Sequence, residues 1–501
     1  MRKNLKLILI ILIIGAVYRL SLTSNGNFLF NMDNARDMVD VREMVETSKL
    51  RLIGPTSAIE GFYNGPAWYY LLAIPYILSG GDPYASILME IALWALGGFF
   101  LIFLVKDFGK LAAVSAGSLW ILSNYVVLTT SYAFNPNPIL FLTPLFIFFL
   151  KKYLETEKLV FSLGIFLLAG LFFNFEMNFG VFIPLVLIFS VFLSGKRNIF
   201  KSKNFWLGVF IYLLTLMPQV AFDIKHNFIM SKSVIKYLSA GSPDQIINPI
   251  KRLPLISEKF FNVTVPTFMN HQFFTKLLTY IFFMSLYLFI KRGHWNKNLT
   301  VLITLLYILI PFLGYVLLPT TVNPWHLGGV VAAIILLFNL QFLGRLPTLI
   351  LSIFVIYFAL ININNYFKER SIPSNDPSVY KNEVAAIDYV YKKAEGKNFS
   401  VYTYLPSVYD YPYQYLFWWY GKKTYGYIPG EYVYSPNKPQ YIPSQDKFQG
   451  SKKNYSGLVF LIKEPDRIKM RQAWENDYKD MEFISKEMIG PIEVEIRKEK
   501  M

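Results

Sequence analysis

Long apolar runs alternate with short polar breaks from Leu5 to about Ile363, and beyond Lys368 the charge density becomes that of a soluble protein. A helix that crosses a bilayer needs about 20 apolar residues, because only a backbone bonded to itself tolerates hydrocarbon. On that template the pattern predicts spans at Leu5–Leu22, Tyr84–Val105, Leu111–Thr130, Pro138–Leu150, Leu159–Phe175 and Phe179–Leu193. It continues with Phe205–Phe222, Phe273–Ile290, Leu299–Leu318, His326–Phe342 and Pro347–Ile363. The total is about 11 transmembrane helices. Pro66–Ser79 is apolar but short, aromatic and interrupted by Pro75, which predicts a helix lying in the membrane interface. Arg19 near the outer end of the first run, with no small-residue cleavage site after it, suits a retained helix better than a signal peptide.

This count puts Lys106–Lys110, Lys151–Lys158, Ser194–Lys203, Lys291–Lys297 and Gly344–Arg345 on one side, and each carries lysine or arginine. The positive-inside rule makes that side the cytoplasm, with the N-terminus inside and the C-terminus outside. The expected organisation is a transmembrane domain over residues 1–365 and a soluble extracytoplasmic domain over 366–501. Within the first domain, the outer loop 23–83 with interfacial helices and a second long outer loop, 223–271, stand out by length. In the second domain Val384–Gly396 has helical spacing, while Asn398–Pro406, Ser456–Pro465 and the final PIEVEIRKE read as strands. The fold class expected is therefore mostly α and polytopic, with a small α/β domain at the C-terminus. The aromatic stretch between the first two strands suggests a surface that stacks on sugars or a belt at the bilayer interface.

Composition sharpens this picture in two places. Apolar residues make up 54% of the 501 positions and charged ones 16%, against roughly 25% in soluble proteins. The formal charge of +16 is read as cytoplasmic anchoring and contact with anionic membrane lipids, not as nucleic-acid binding. With no cysteine and four scattered histidines, a disulfide framework and a thiolate or HExxH-type zinc site are excluded. The plasma membrane, crossed many times, is the expected location.

The candidate chemistry lies in the first outer loop. Asp33, Asp37 and Asp40 recur at intervals of four and three, on one helical face, in NMDNARDMVDVREMVE. Taken alone, this reads as a solvated amphipathic helix capped by Asn31 or Asp33. However, the cluster follows the first span closely, and the next loop holds an isolated Glu60 beside glycines. A carboxylate at the outer membrane edge is where a general base would meet a lipid-linked substrate. Glu176 lies between two apolar spans, where an ionisable group is costly unless it lines a cavity or a short exposed turn.

These residues carry a resemblance. Asp33-Asn34-Ala35-Arg36, then Glu60, then Gly65-Pro66-Ala67-Trp68-Tyr69-Tyr70 resembles the opening of the GT-C superfamily. Within it, the chain looks most like the protein O-mannosyltransferase and lipid A aminoarabinose transferase group, including its bacterial relatives. The Asn135–Pro138 loop and the span exit Pro218–Phe228 extend the likeness. It implies transfer of a sugar from a polyprenyl-phosphate carrier to an acceptor hydroxyl at the outer face, with inversion at the sugar's C1. Asp33 takes the place of the catalytic base, with Glu60 as a second catalytic residue.

Arg36, Lys225, His226 and His326 are the candidates to hold the donor phosphate, with arginine the better clamp. Asp37, Asn135, Asn137, Trp68, Tyr69 and Glu176 are the candidates to line the substrate site. The acceptor is a glycan, a lipid or a protein. Many relatives carry a glutamate where Asn34 stands, and some carry a carboxylate in the loop that here offers amides. Amides are poor ligands for a hard divalent cation, so no cofactor and no essential metal are expected. A polytopic transporter or flippase of a lipid-linked saccharide is the alternative. Against it, the chain shows no half-to-half repeat, and its charges gather at the outer surface.

Overall fold

The computed structural model describes residues 2–240 except 58, 248–268, 298–341 except 319, and 375–499 except 408, 437–444, 452 and 467, with the single positions 287, 357 and 360. The expected spans Phe273–Ile290 and Pro347–Ile363 lie, apart from those single positions, outside the described residues. The chain forms two compact units. One comprises Met1–Arg19, Arg51–Tyr70 and Met89–Asn365; the other comprises Leu20–Leu50, Leu71–Leu88 and Tyr366–Met501.

Helices follow one another as α1 (Arg2–Thr23), α2 (Met32–Glu46), α3 (Ala67–Ser79), α4 (Pro83–Val105), α5 (Lys110–Leu122) and α6 (Asn124–Thr129). Then come α7 (Asn137–Thr156), α8 (Leu159–Phe175), α9 (Met177–Gly180), α10 (Ile183–Leu193), α11 (Lys203–Lys225) and α12 (Ile229–Ala240). The series closes with α13 (Pro249–Phe268), α14 (Leu299–Leu317) and α15 (Gly328–Gln341). Among the described residues, Leu5–Thr23, Pro83–Phe108, Lys203–Lys225 and Leu299–Leu317 are long and apolar enough to cross a bilayer. Shorter apolar helices stand at other expected spans, including Lys110–Leu122, Leu159–Phe175, Met177–Leu193 and Pro324–Leu340.

The expected span Leu111–Thr130 is two helices, not one. Ser123 leaves helical geometry and its Oγ accepts from the Val126 N–H, so it caps α6 instead of continuing α5. In the first unit α8 packs against α7 and α11, and α15 packs against α7 and α14. Two buried tryptophans tie α4 to α5 reciprocally: each indole Nε1 donates to the other's carbonyl, at 3.1 and 3.0 Å. Arg19 is buried there, its guanidinium 3.8 Å from the Trp94 ring and donating to the Trp120 carbonyl. α4 and α7 approach closely at Gly97, where an added Cβ would stand 2.1 Å from the Phe141 carbonyl oxygen.

The second unit adds a mixed sheet with strand order β2-β1-β3-β5-β4. Its elements are α16 (Tyr380–Ala394), β1 (Asn398–Tyr404), α17 (Tyr411–Leu416), α18 (Lys422–Tyr425), β2 (Glu431–Val433), β3 (Tyr455–Lys463), α19 (Arg471–Glu475), β4 (Glu482–Ile489) and β5 (Ile492–Lys498). β1 runs parallel to β2 and β3, and β5 runs antiparallel to β3 and β4. Every residue of β1 is buried, as a central strand covered on both faces should be. β4 is an exposed edge whose Glu482, Lys486 and Glu487 discourage pairing with another chain.

The aromatic stretch lies largely inside this unit, contrary to the surface expected from sequence. Tyr413, Tyr415, Phe417 and Trp419 are all buried. Tyr415 Oη donates to the Gly81 carbonyl and Trp419 Nε1 to that of Gly80, so rings with one polar tip fill the interior and cap backbone.

Two of the carboxyls buried in this unit are held above their ordinary values. Burial pushes Asp410 up to about 7, against hydrogen bonds that include one from Gln414 Nε2 at 3.0 Å. Burial, then the nearby Glu464 and Asp376, hold Glu383 well above its ordinary value. An unfolded aspartate titrates near ~3.9. Between that value and about 7 the folded form therefore binds the extra proton at Asp410. This contribution to stability is complete at acid pH and is lost as pH rises to neutrality. Asp410→Asn is therefore expected to unfold at a higher temperature than wild type at pH 8, with the difference gone by pH 4. Thermal melts at the two pH values check it.

Candidate functional site

The acidic helix α2 begins with a reciprocal cap. Asn31 Oδ1 accepts from the Asp33 and Asn34 N–H groups at 3.0 and 3.3 Å, and Asn34 Oδ1 accepts from the Asn31 N–H at 3.2 Å. The cap fixes Asp33 in the first turn, where the helix dipole favours a carboxylate. One turn on, Arg36 Nη1 donates to Asp33 Oδ1 at 2.9 Å. The same guanidinium donates from Nε and Nη2 to Asp37 Oδ1 at 3.0 and 2.9 Å.

Asp37 is thus not solvated: its side chain is wholly buried, and Arg36 supplies the counter-charge that burial requires. Asp33 differs, with 39% of its side chain exposed. Arg36 is held between two carboxylates, so little of its charge is left over for a phosphate. On the far side of the same helix Arg42 is buried, its guanidinium 3.9 Å from the Phe448 ring and 5.2 Å from that of Trp418. All of these residues belong to the second unit.

The other candidates belong to the first unit. Residues 54–65 close into a hairpin-like loop: the Gly54 N–H donates to the Asn64 carbonyl, the Asn64 N–H to that of Pro55, and the Ser57 N–H to that of Phe62. Glu60 is exposed at its tip. Gly65 makes the base of this loop possible, since a Cβ there would stand 1.9 Å from Asn174 Oδ1. Trp68 and Tyr69 are buried.

Glu176 and His326, 150 positions apart in the chain, come together. Glu176 caps α9, its Oε1 accepting from the Asn178 N–H at 3.1 Å. That oxygen is 4.0 Å from His326 Nε2, and both side chains are buried. His326 sits inside, with Asn178 Nδ2 3.5 Å from the same ring nitrogen. The side-chain amides of Asn135 and Asn137 donate chiefly to backbone. Asn135 Nδ2 donates to the Phe175 carbonyl at 2.6 Å, and Asn137 Nδ2 to those of Thr129 and Tyr132, both at 2.9 Å.

Sequence reasoning missed Glu90, a lone acid in the apolar run of α4. It is wholly buried, its Oε1 accepting from the Phe134 N–H at 3.3 Å and from Asn137 Nδ2 at 3.5 Å. Its only sequence signal is that an acid within a span is expensive.

Lys225 and His226 are exposed at the end of α11, where the His226 ring stacks on Phe222 with centroids 4.0 Å apart. Asp223 is buried just before them and accepts from the Met230 N–H at 2.7 Å and the Ser231 hydroxyl at 2.5 Å, turning the chain into α12. His226 then lines an open depression of about 290 Å³ with Asn227, Lys232, Ser233 and Lys236. Two lysines that sequence reasoning did not single out therefore join it, while Lys225 is not among the lining residues.

The region 64–222 matches the family model described as dolichyl-phosphate-mannose-protein mannosyltransferase. No curated protein matches the sequence. Among solved structures the chain is similar to ArnT from Cupriavidus metallidurans bound to undecaprenyl phosphate, with a TM-score of 0.63 and 10% identity over 98% of each chain. The apo form of that protein gives a TM-score of 0.61, also at 10% identity over 98% of each chain. At such identity the likeness is one of fold. The family match and the fold together support a membrane glycosyltransferase of the GT-C superfamily with an ArnT-like architecture.

Proposed function

We propose that this protein transfers a sugar from a polyprenyl-phosphate carrier to an acceptor hydroxyl at the outer face of the membrane. The observation that carries the reading is a half-exposed Asp33 held on a capped helix end by Arg36 and backed by the buried Asp37. The acceptor oxygen attacks the sugar's C1 as Asp33 takes its proton. The bond from C1 to the phosphate oxygen breaks, and the polyprenyl phosphate leaves with the electron pair. Attack from the side opposite the leaving group inverts C1.

The carrier is supported by the undecaprenyl phosphate named with ArnT. The leaving phosphate needs cations where charge develops. Arg36, whose charge is shared with two aspartates, suits that part poorly. The basic loops favour a cytoplasmic N-terminus and an extracytoplasmic C-terminal domain.

The metal-independent form of the reaction rests on Arg36, which already pairs with both Asp33 and Asp37. The test supplies the purified protein in lipid nanodiscs with radiolabelled polyprenyl-phosphate sugars and membrane acceptors. The expected result is labelled acceptor with inverted linkage, at a rate that a chelator does not change. Absence of transfer from every polyprenyl-phosphate sugar would refute the reading, and a chelator-sensitive rate would refute its metal-free form.

A further inference from the structure

The second unit carries an open cavity of about 450 Å³ at the end of the sheet where β1 and β3 begin and the chain leads into β2. We propose that this cavity is a binding subsite for an anionic saccharide, a sugar bearing phosphate or carboxylate.

The floor is built and fixed. Asn398 is buried, its Oδ1 accepting from the Gly430 N–H at 2.7 Å while its Nδ2 donates to the Ser451 carbonyl. The Asn398 N–H donates in turn to the Asn454 carbonyl at 3.2 Å. The Tyr427 ring forms a wall. Its hydroxyl donates to the Lys397 carbonyl at 3.2 Å, and the ring packs edge-on to Tyr391 with centroids 5.1 Å apart. The mouth is open, since Gly396 and Gly426, at φ +75° and +81°, have no neighbouring atom within 4 Å of where a Cβ would stand.

The charge is one-sided. Lys422 and Lys453 line the cavity, and none of its lining residues is acidic. Neither lysine makes an ion pair among the described residues, whereas the adjacent Lys423 lies 3.7 Å from Asp82. Ammonium groups at an open mouth attract an anion. The Tyr427 ring with the Ser451 hydroxyl and the Asn454 amide suits the apolar face and hydroxyls of a sugar. A volume of this size falls in the ~300–1,000 Å³ range of small-molecule sites, too large for a lone phosphate.

That this saccharide belongs to the acceptor rests on the transferase reading; the binding itself does not. The full chain in zwitterionic nanodiscs is titrated with fluorescent galacturonate oligomers, and with dextran of equal length as the neutral control. The acidic oligomer is expected to bind at least about tenfold more tightly than dextran, and less tightly as salt screens it. Lys422→Glu with Lys453→Glu, and separately the neutral plug Ser451→Trp, are each expected to weaken binding by about tenfold or more. Lys479→Glu with Lys486→Glu, exposed elsewhere on the unit, should leave it unchanged. Unaltered thermal midpoints show that the variants fold.

Binding by Ser451→Trp equal to wild type would overturn the subsite even if the charge reversal weakened it, because the attraction would then be general. Equal binding of dextran, or no binding, would overturn it as well. Sugar transfer is read in parallel, so failed binding with intact transfer removes the subsite alone, and intact binding without transfer counts against the transferase reading alone.

Discussion

Asp33→Asn is expected to lower sugar transfer by about 10²–10⁴-fold, the range set by loss of a general base. The substitution preserves shape, and the amide oxygen can still accept from Arg36 Nη1, so the cap at Asn31 and the helix should survive. Donor binding should change little, placing the loss in the chemical step. Asp37→Asn makes the informative contrast. That carboxylate is wholly buried against Arg36, so its loss weakens the fold around α2 and lowers activity through displacement of Arg36. A rate loss in Asp33→Asn at an unchanged melting temperature, beside a lowered melting temperature in Asp37→Asn, separates the base from the residue that positions it. Equal transfer by wild type and Asp33→Asn would remove Asp33 from the mechanism.

Lys463→Met is expected to destabilise the C-terminal unit by about 3–5 kcal/mol, as breaking a buried ion pair does. Lys463 is almost wholly buried, its ammonium 2.8 Å from Glu475 and 3.4 Å from Glu493, and hydrogen-bonded to Glu495. Arg471 and Arg497 complete the network from its edges, bonded to Glu475 and Glu495 at 3.0 and 2.5 Å. Burial alone would raise the Glu475 carboxyl, but hydrogen bonds from Lys463 and Arg471 outweigh it and hold it below its usual value.

Methionine keeps the apolar stem and deletes the charge, leaving three glutamates facing a lost cation. The three lie close enough together to resemble a metal site, but the ammonium already serves them. The variant's loss should shrink as pH falls and the stranded carboxylates take up protons. Denaturant melts at pH 5 and pH 8 measure both effects, and a loss below about 1 kcal/mol would show the network to be a surface one.

Much of the fold was legible because its signals are local. Apolar runs marked the spans, and the helix of α16 and strands β1, β3 and β5 stand where periodicity placed them. β4 escaped because an exposed edge strand needs no apolar alternation. The break at Ser123 escaped because a serine in an apolar run is a weak signal beside the hydrophobicity around it. The carboxylate helix was legible as a helix, yet its side chains were not legible as an ion-paired cluster. Spacing puts Asp33 and Arg36 within reach, but only tertiary packing buries Asp37. The approach of Glu176 to His326 and the hold of Glu90 on the Asn135–Pro138 loop join segments far apart in sequence, where a single chain carries no local trace.

The account depends on the carboxylate helix facing away from the cytoplasm, and the absence of cysteine makes this directly measurable. A single cysteine at Leu50, 80% exposed just beyond α2, is treated in intact cells with a membrane-impermeant maleimide. A cysteine at Lys196, in the basic loop after α10, serves as the reciprocal probe. The account predicts that Leu50→Cys is labelled in intact cells and Lys196→Cys only after the membrane is permeabilised. The reverse pattern would put Asp33 on the cytoplasmic side and contradict sugar transfer at the outer face.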